Sequence, residues 1–130
     1  MNAEQMELAR RFVACKGWGW LPGMLAPRRG RVFGVDGETL YFAGTDGRFN
    51  GKWEVYQCLP DLSDALTRAG LLEVVRRAWR DPDAYVRPST KGGYVLCSRV
   101  CPGGPTRGEP PRGPSELHAL LAALEAAPGV

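Results

Sequence analysis

Arg31-Val32-Phe33-Gly34-Val35-Asp36-Gly37-Glu38-Thr39-Leu40-Tyr41-Phe42-Ala43 reads as a β-hairpin. Two runs rich in β-branched and aromatic residues flank Asp36-Gly37, a strong short-range turn signal. Gly44-Thr45-Asp46-Gly47 predicts a second turn. A third strand is expected within Lys52–Cys58, with Trp53, Val55 and Tyr56 as candidates for burial. Strands joined by such short links pair antiparallel.

Upstream of the hairpin, Ala3–Cys15 carries a helical stripe of Met6, Ala9 and Val13, widened by Leu8 and Phe12. Asn2 and Gln5 are placed for a capping box, and Gly17 supplies the stop. Downstream, Leu59-Pro60-Asp61-Leu62-Ser63-Asp64 closes the strands and opens a second helix to about Arg80, with Ser63 as its expected N-cap. Leu71, Leu72, Val75, Ala78 and Trp79 keep one broad apolar face, and Leu66 and Ala69 extend it back one turn. Asp81-Pro82-Asp83 ends that helix.

Ala84–Arg87 and Gly93–Cys101 read as strands. Residues 102–114 hold five Pro and four Gly, which excludes a helix or a central strand and predicts a loop. Ser115 then starts a C-terminal helix with Leu117, Leu120, Leu121 and Leu124 at helical spacing, ended by Pro128-Gly129. The expected fold is α+β: one antiparallel or mixed sheet of four to five strands packed with three helices, in the order α-β-β-β-α-β-β-α. Its 130 residues suit one domain over 1–130.

Composition bounds the function. Hydrophobic residues make up 44% and charged residues 24%, the balance of a globular chain. No apolar run reaches the roughly 20 residues of a membrane span. Met1–Glu7 carries acids and has no apolar h-region, so no export signal is expected, and the reading is cytoplasmic. A net charge of +3 excludes an acidic nucleic-acid mimic and is modest for a dedicated nucleic-acid binder. The bases are 14 Arg and 3 Lys; the excess of Arg fits either a GC-rich coding sequence or recognition of phosphate and carboxylate by guanidinium forks.

Catalytic groupings are sparse. His118 is the sole histidine of the sequence, so a Ser–His–acid or Cys–His arrangement would have to use it. Asp61 and Asp64 precede the second helix, whereas Asp81 and Asp83 follow it. The ends of that helix lie roughly 25 Å apart, too far to share a metal. Cys97 and Cys101 are about 13 Å apart along a strand, too far for a disulfide, and Cys15 and Cys58 are scattered. No catalytic residue, metal or cofactor is expected, and the thiols are read as small hydrophobes.

Two clusters suit binding. Trp18 and Trp20 sit among glycines, followed by Arg28, Arg29 and Arg31. The tryptophans either lid the core or form a partner patch, since Trp and Arg dominate interface hot spots. Arg76, Arg77 and Arg80 either complement the helix dipole or form a second contact ridge.

Gly17-Trp18-x-Trp20-x-Pro22-Gly23-Met24, Leu59-Pro60-Asp61-Leu62-Ser63-Asp64, Ala78-Trp79-x-Asp81-Pro82 and Ala123-Leu124-Glu125-Ala126-Ala127-Pro128 together resemble small, mostly uncharacterised proteins of tailed bacteriophages and prophages. The resemblance touches both ends and the middle of the chain and rests on caps, turns and aromatics. It brings no catalytic residues. It implies a biological setting, phage proteins in the bacterial host's cytoplasm, more than a mechanism. With no catalytic grouping, the expectation is a non-enzymatic accessory protein that binds and blocks a host macromolecule, as an anti-defence, anti-CRISPR-like inhibitor does, with a host or phage protein as the expected partner. Two alternatives stay open: nucleic-acid binding for replication or packaging, and sequestration of a small nucleotide signal by Arg forks and Trp stacking.

Overall fold

The computed structural model describes residues 1–43, 49–98 and 110–127. Among these, three α-helices and seven strands give an α+β fold. The strands divide between two antiparallel sheets instead of joining the single sheet expected. The expected turn at Gly44–Gly47, residues Arg99–Cys101, most of the Pro/Gly stretch and the Pro128-Gly129 stop lie outside the described residues. By their contacts the residues cluster into two units, Met1–Val13 with Gly19–Gly70, and Ala14–Trp18 with Leu71–Val130.

The first unit opens with α1 (Ala3–Ala14). Its capping box forms as expected: Asn2 N–H donates to Gln5 Oε1 at 3.1 Å, and Gln5 N–H to Asn2 Oδ1 at 2.8 Å. Leu8, Ala9 and Phe12 carry its buried face, while Met6 is 36% exposed, so the stripe is centred one residue away from the one expected. β1 (Leu25–Ala26), β2 (Gly30–Asp36), β3 (Thr39–Ala43) and β4 (Phe49–Glu54) form a meander in chain order. The hairpin register is set by the link between Asp36 and Thr39, which pair directly across Gly37-Glu38. Gly37 has φ +59, and a positive φ at the first of two loop residues matches the right-handed twist of the flanking strands. Val32, Leu40 and Phe42 are buried from this sheet. A 3-10 turn over Val55–Gln57 ends β4. It breaks strand alternation, so Tyr56, expected inside, is 79% exposed.

α2 (Ala65–Trp79) begins in the first unit. Its N-cap is Asp64, not Ser63. Asp64 Oδ2 accepts the Thr67 N–H at 2.9 Å, and the Asp64 carbonyl accepts from Arg68 N at 3.0 Å, whereas Ser63 N–H turns back to Asp61 Oδ1 at 3.0 Å. The buried side chain of the first turn is Thr67; Leu66, expected on the apolar face, is 59% exposed.

The second unit holds the rest of α2, with Leu71, Val74, Val75, Ala78 and Trp79 buried. Trp79 Nε1 donates to the Ala123 carbonyl at 2.8 Å, fixing the ring against α3 (Glu116–Glu125). β5 (Tyr85–Pro88), β6 (Tyr94–Cys97) and β7 (Arg112–Gly113) form its sheet in that order. β7 lies inside the Pro/Gly stretch read as loop; it is an edge strand, where a Pro-flanked segment can pair on one side. α3 packs on all three strands. A Cβ on Gly113 would stand 2.5 Å from His118 Cβ and 2.7 Å from the His118 carbonyl carbon, so only glycine admits the helix this close.

Candidate anion-binding pocket

Of the eight residues singled out from sequence, the first unit brings two to one cavity. Ala26-Pro27-Arg28-Arg29 is a tight turn, closed by the Arg29 N–H to the Ala26 carbonyl at 3.1 Å. Proline at the second position is normal for such a turn, and a positive φ at the third normally selects glycine. Here the third position is Arg28, at φ +68. The turn projects Arg28 and Arg29 onto a pocket of about 530 Å³. Gln57 and Cys58 bring polar groups to it, and Met1, Met6, Pro27 and Leu59 complete it with apolar surface. Met1 is itself anchored, its sulfur accepting the Leu62 N–H at 3.2 Å.

Arg29 is held in place. Its Cζ lies 3.4 Å from the centroid of the Trp53 ring, a stacked cation–π contact. The same guanidinium donates toward Cys58. Burial nevertheless pushes the Cys58 thiol up from its ordinary pKa, more strongly than Arg29 draws it down. A neutral thiol beside a fixed cation leaves the wall of the pocket positive.

Arg31, expected beside these two, serves the fold instead. Its Nη1 and Nη2 donate to the two carboxylate oxygens of Asp64 at 2.9 and 3.0 Å, and Nη1 also reaches the Gly23 carbonyl at 2.7 Å. Thr67, fully buried, donates its hydroxyl to Asp64 Oδ2 and accepts the Leu25 N–H, both at 2.8–2.9 Å. These bonds pin β1, β2, the Gly23 turn and the start of α2 together. The Arg31 fork and the Thr67 donors hold the Asp64 carboxyl far below the usual carboxylate range. Trp20, also expected as a contact, is 6% exposed and belongs to the core. Trp18 is half-buried and falls in the other unit.

Arg76, Arg77 and Arg80 gather in the second unit at the C-terminal end of α2, around a hollow of about 290 Å³ that also takes in Glu73, Asp81 and Pro82. Arg76 Nε is spent on the Ala84 carbonyl at 2.7 Å. Arg77 pairs with Glu73 at 3.3 Å on the surface. Arg80 takes φ +55 just past the helix, with Asp81 N–H bonded back to the Arg76 carbonyl at 3.0 Å and Arg80 N–H to Arg77 at 3.2 Å. That is a helix stop which usually selects glycine. Alternating charge and the negative end of the helix make this hollow a poorer anion site than the Arg28 pocket.

His118 meets Ser115, with Nδ1 2.6 Å from Ser115 Oγ, which also accepts the His118 N–H at 3.2 Å as the N-cap of α3. Asp81, buried, accepts the Ser98 hydroxyl at 2.7 Å and the Asp83 N–H at 3.0 Å. Among the described residues no group of three His, Cys, Asp or Glu could hold a metal. Cys58 is buried, whereas Cys15 and Cys97 are only half-buried, and none of the three is in a disulfide. No described helix is long and apolar enough to cross a membrane.

The basic run was legible in the sequence; the partners of the pocket were not. Met1, Met6, Gln57 and Cys58 reach Arg28 and Arg29 only through the fold. The one local signal was Pro27 followed by a non-glycine, in a turn that then needs a strained residue. Comparison with protein-family models, with curated proteins and with solved structures returns no match.

Proposed function

We propose that this chain is a non-enzymatic binding protein that grips an acidic feature of a host or phage macromolecule through the Pro27–Arg29 turn. It would act by occlusion, in the manner the resemblance to phage accessory proteins implies for a host-blocking or anti-defence protein. One observation carries the reading: an arginine occupies a backbone position at φ +68 that favours glycine, on the rim of a pocket whose second arginine is already fixed on Trp53. Holding an L-residue there costs roughly 1–2 kcal/mol, and strain of this kind clusters at functional sites.

The test is affinity capture from bacterial lysate with the wild type, Arg28→Gly, Arg29→Ala and Arg77→Ala. A partner retained by the wild type and by Arg77→Ala, and lost from both pocket variants, is the expected result. Undiminished capture by Arg28→Gly and Arg29→Ala ends the proposal.

A second reading has its own observation. On the outer face of the first sheet Phe33 is 53% exposed, its ring centroid 6.4 Å from that of Tyr41, and Tyr41 pairs directly with exposed Lys52. Exposed aromatics beside a base form a stacking platform for single-stranded nucleic acid. Binding at 50 mM salt with a log–log salt slope of roughly 0.7 per phosphate contact, lost on Phe33→Ala, is what this reading requires; no binding to single strands at that salt removes it.

A further inference from the structure

We propose that the Arg28–Arg29 pocket takes a small phosphomonoester with a flat, weakly polar body, the chemistry of a nucleoside 5′-monophosphate. The proposal rests on the reading of this pocket as an anion site and names the class of anion. Its described walls offer two guanidiniums and no carboxylate. A carboxylate has two oxygens and is filled by one fork, whereas a phosphomonoester presents three terminal oxygens and can take both forks. Neighbouring residues on one turn supply those forks. Arg29 is stacked on Trp53, so little side-chain freedom remains to be lost when it binds. Arg28 is carried on a backbone already set by the turn.

The remaining walls suit the body of such a ligand. Met1 and Met6 offer polarisable thioethers, which pack well on aromatic faces. Gln57 has its Oε1 engaged by the Glu54 N–H at 3.0 Å, leaving its NH₂ group to donate to a ring oxygen or nitrogen. Cys58 is kept neutral by burial and does not repel the phosphate. The volume, about 530 Å³, is in the range of small-molecule sites.

Calorimetric titration of the intact chain with adenosine 5′-monophosphate, cytidine 5′-monophosphate, adenosine and inorganic phosphate tests this. Either nucleotide should bind at least tenfold tighter than adenosine or phosphate alone. Arg28→Gly and Arg29→Lys should each weaken nucleotide binding at least tenfold, with unfolding temperatures no lower than a few degrees below wild type. Nucleotides that bind no tighter than phosphate, or that bind Arg28→Gly as well as wild type, overturn the proposal. If nucleotides fail while Arg28→Gly still loses the captured macromolecule, this ligand class falls and the anion-site reading stands. If Arg28→Gly also keeps that capture, both fall.

Discussion

At Arg28 a single residue sets stability against binding. The turn needs a left-handed conformer at its third position, and arginine reaches φ +68 only against the repulsion between its Cβ and the backbone. Arg28→Gly removes that strain and adds back some chain entropy to the unfolded state. The net expected change is a gain of about 0.5–1 kcal/mol in urea unfolding, together with lost binding. A destabilised Arg28→Gly chain would show that the side chain serves the fold. Thr67 makes the opposite case. Its hydroxyl is fully buried and stands between the Leu25 N–H and the Asp64 carboxylate. Thr67→Val keeps the shape and orphans a backbone donor, which costs about 1–3 kcal/mol. Thr67→Ser keeps the bond and should recover most of that loss in the same unfolding measurement.

At the scale of elements, close approach decides which residues are tolerated. β7 and α3 meet through Gly113, where any Cβ would press on helix backbone, 2.7 Å from the His118 carbonyl carbon and 2.8 Å from Ala119 N. Backbone cannot rotate away as a side-chain end can, so Gly113→Ala should cost about 2–3 kcal/mol by overpacking. A loss within a few tenths of a kcal/mol would mean that β7 and α3 part freely. This element was the hardest to read from sequence. Pro110, Pro111 and Pro114 surround it, and a two-residue edge strand leaves no alternation to detect. The Asp36-Gly37 hairpin and the Asn2–Gln5 capping box were legible because each is decided within four residues. The α2 cap was off by one position. Asp61, Ser63 and Asp64 can all cap locally, and only the distant Arg31 fork selects Asp64. The same limit applies to the site: adjacent arginines are visible in the sequence, but Arg31 leaves the cluster for Asp64, and Trp53 arrives under Arg29 only through strand register.

For the molecule as a whole, the Arg31–Asp64–Thr67 network makes stability depend on acid. The Asp64 carboxyl is held well below its ordinary range in the folded protein, while in the unfolded chain it titrates near 3.9. As pH falls, the unfolded state therefore takes up this proton first, and stability drops with it. The contribution is complete above about pH 5 and is lost progressively below about pH 4. Asp64→Asn isolates this charge, since asparagine also caps helices well but cannot form the ion pair with Arg31. At pH 7 Asp64→Asn should be less stable than wild type. At pH 2.5 the wild type has lost much of the advantage and the difference between the two urea midpoints should narrow. A difference that stays constant from pH 7 to pH 2.5 would mean that the charge on Asp64 contributes nothing to stability.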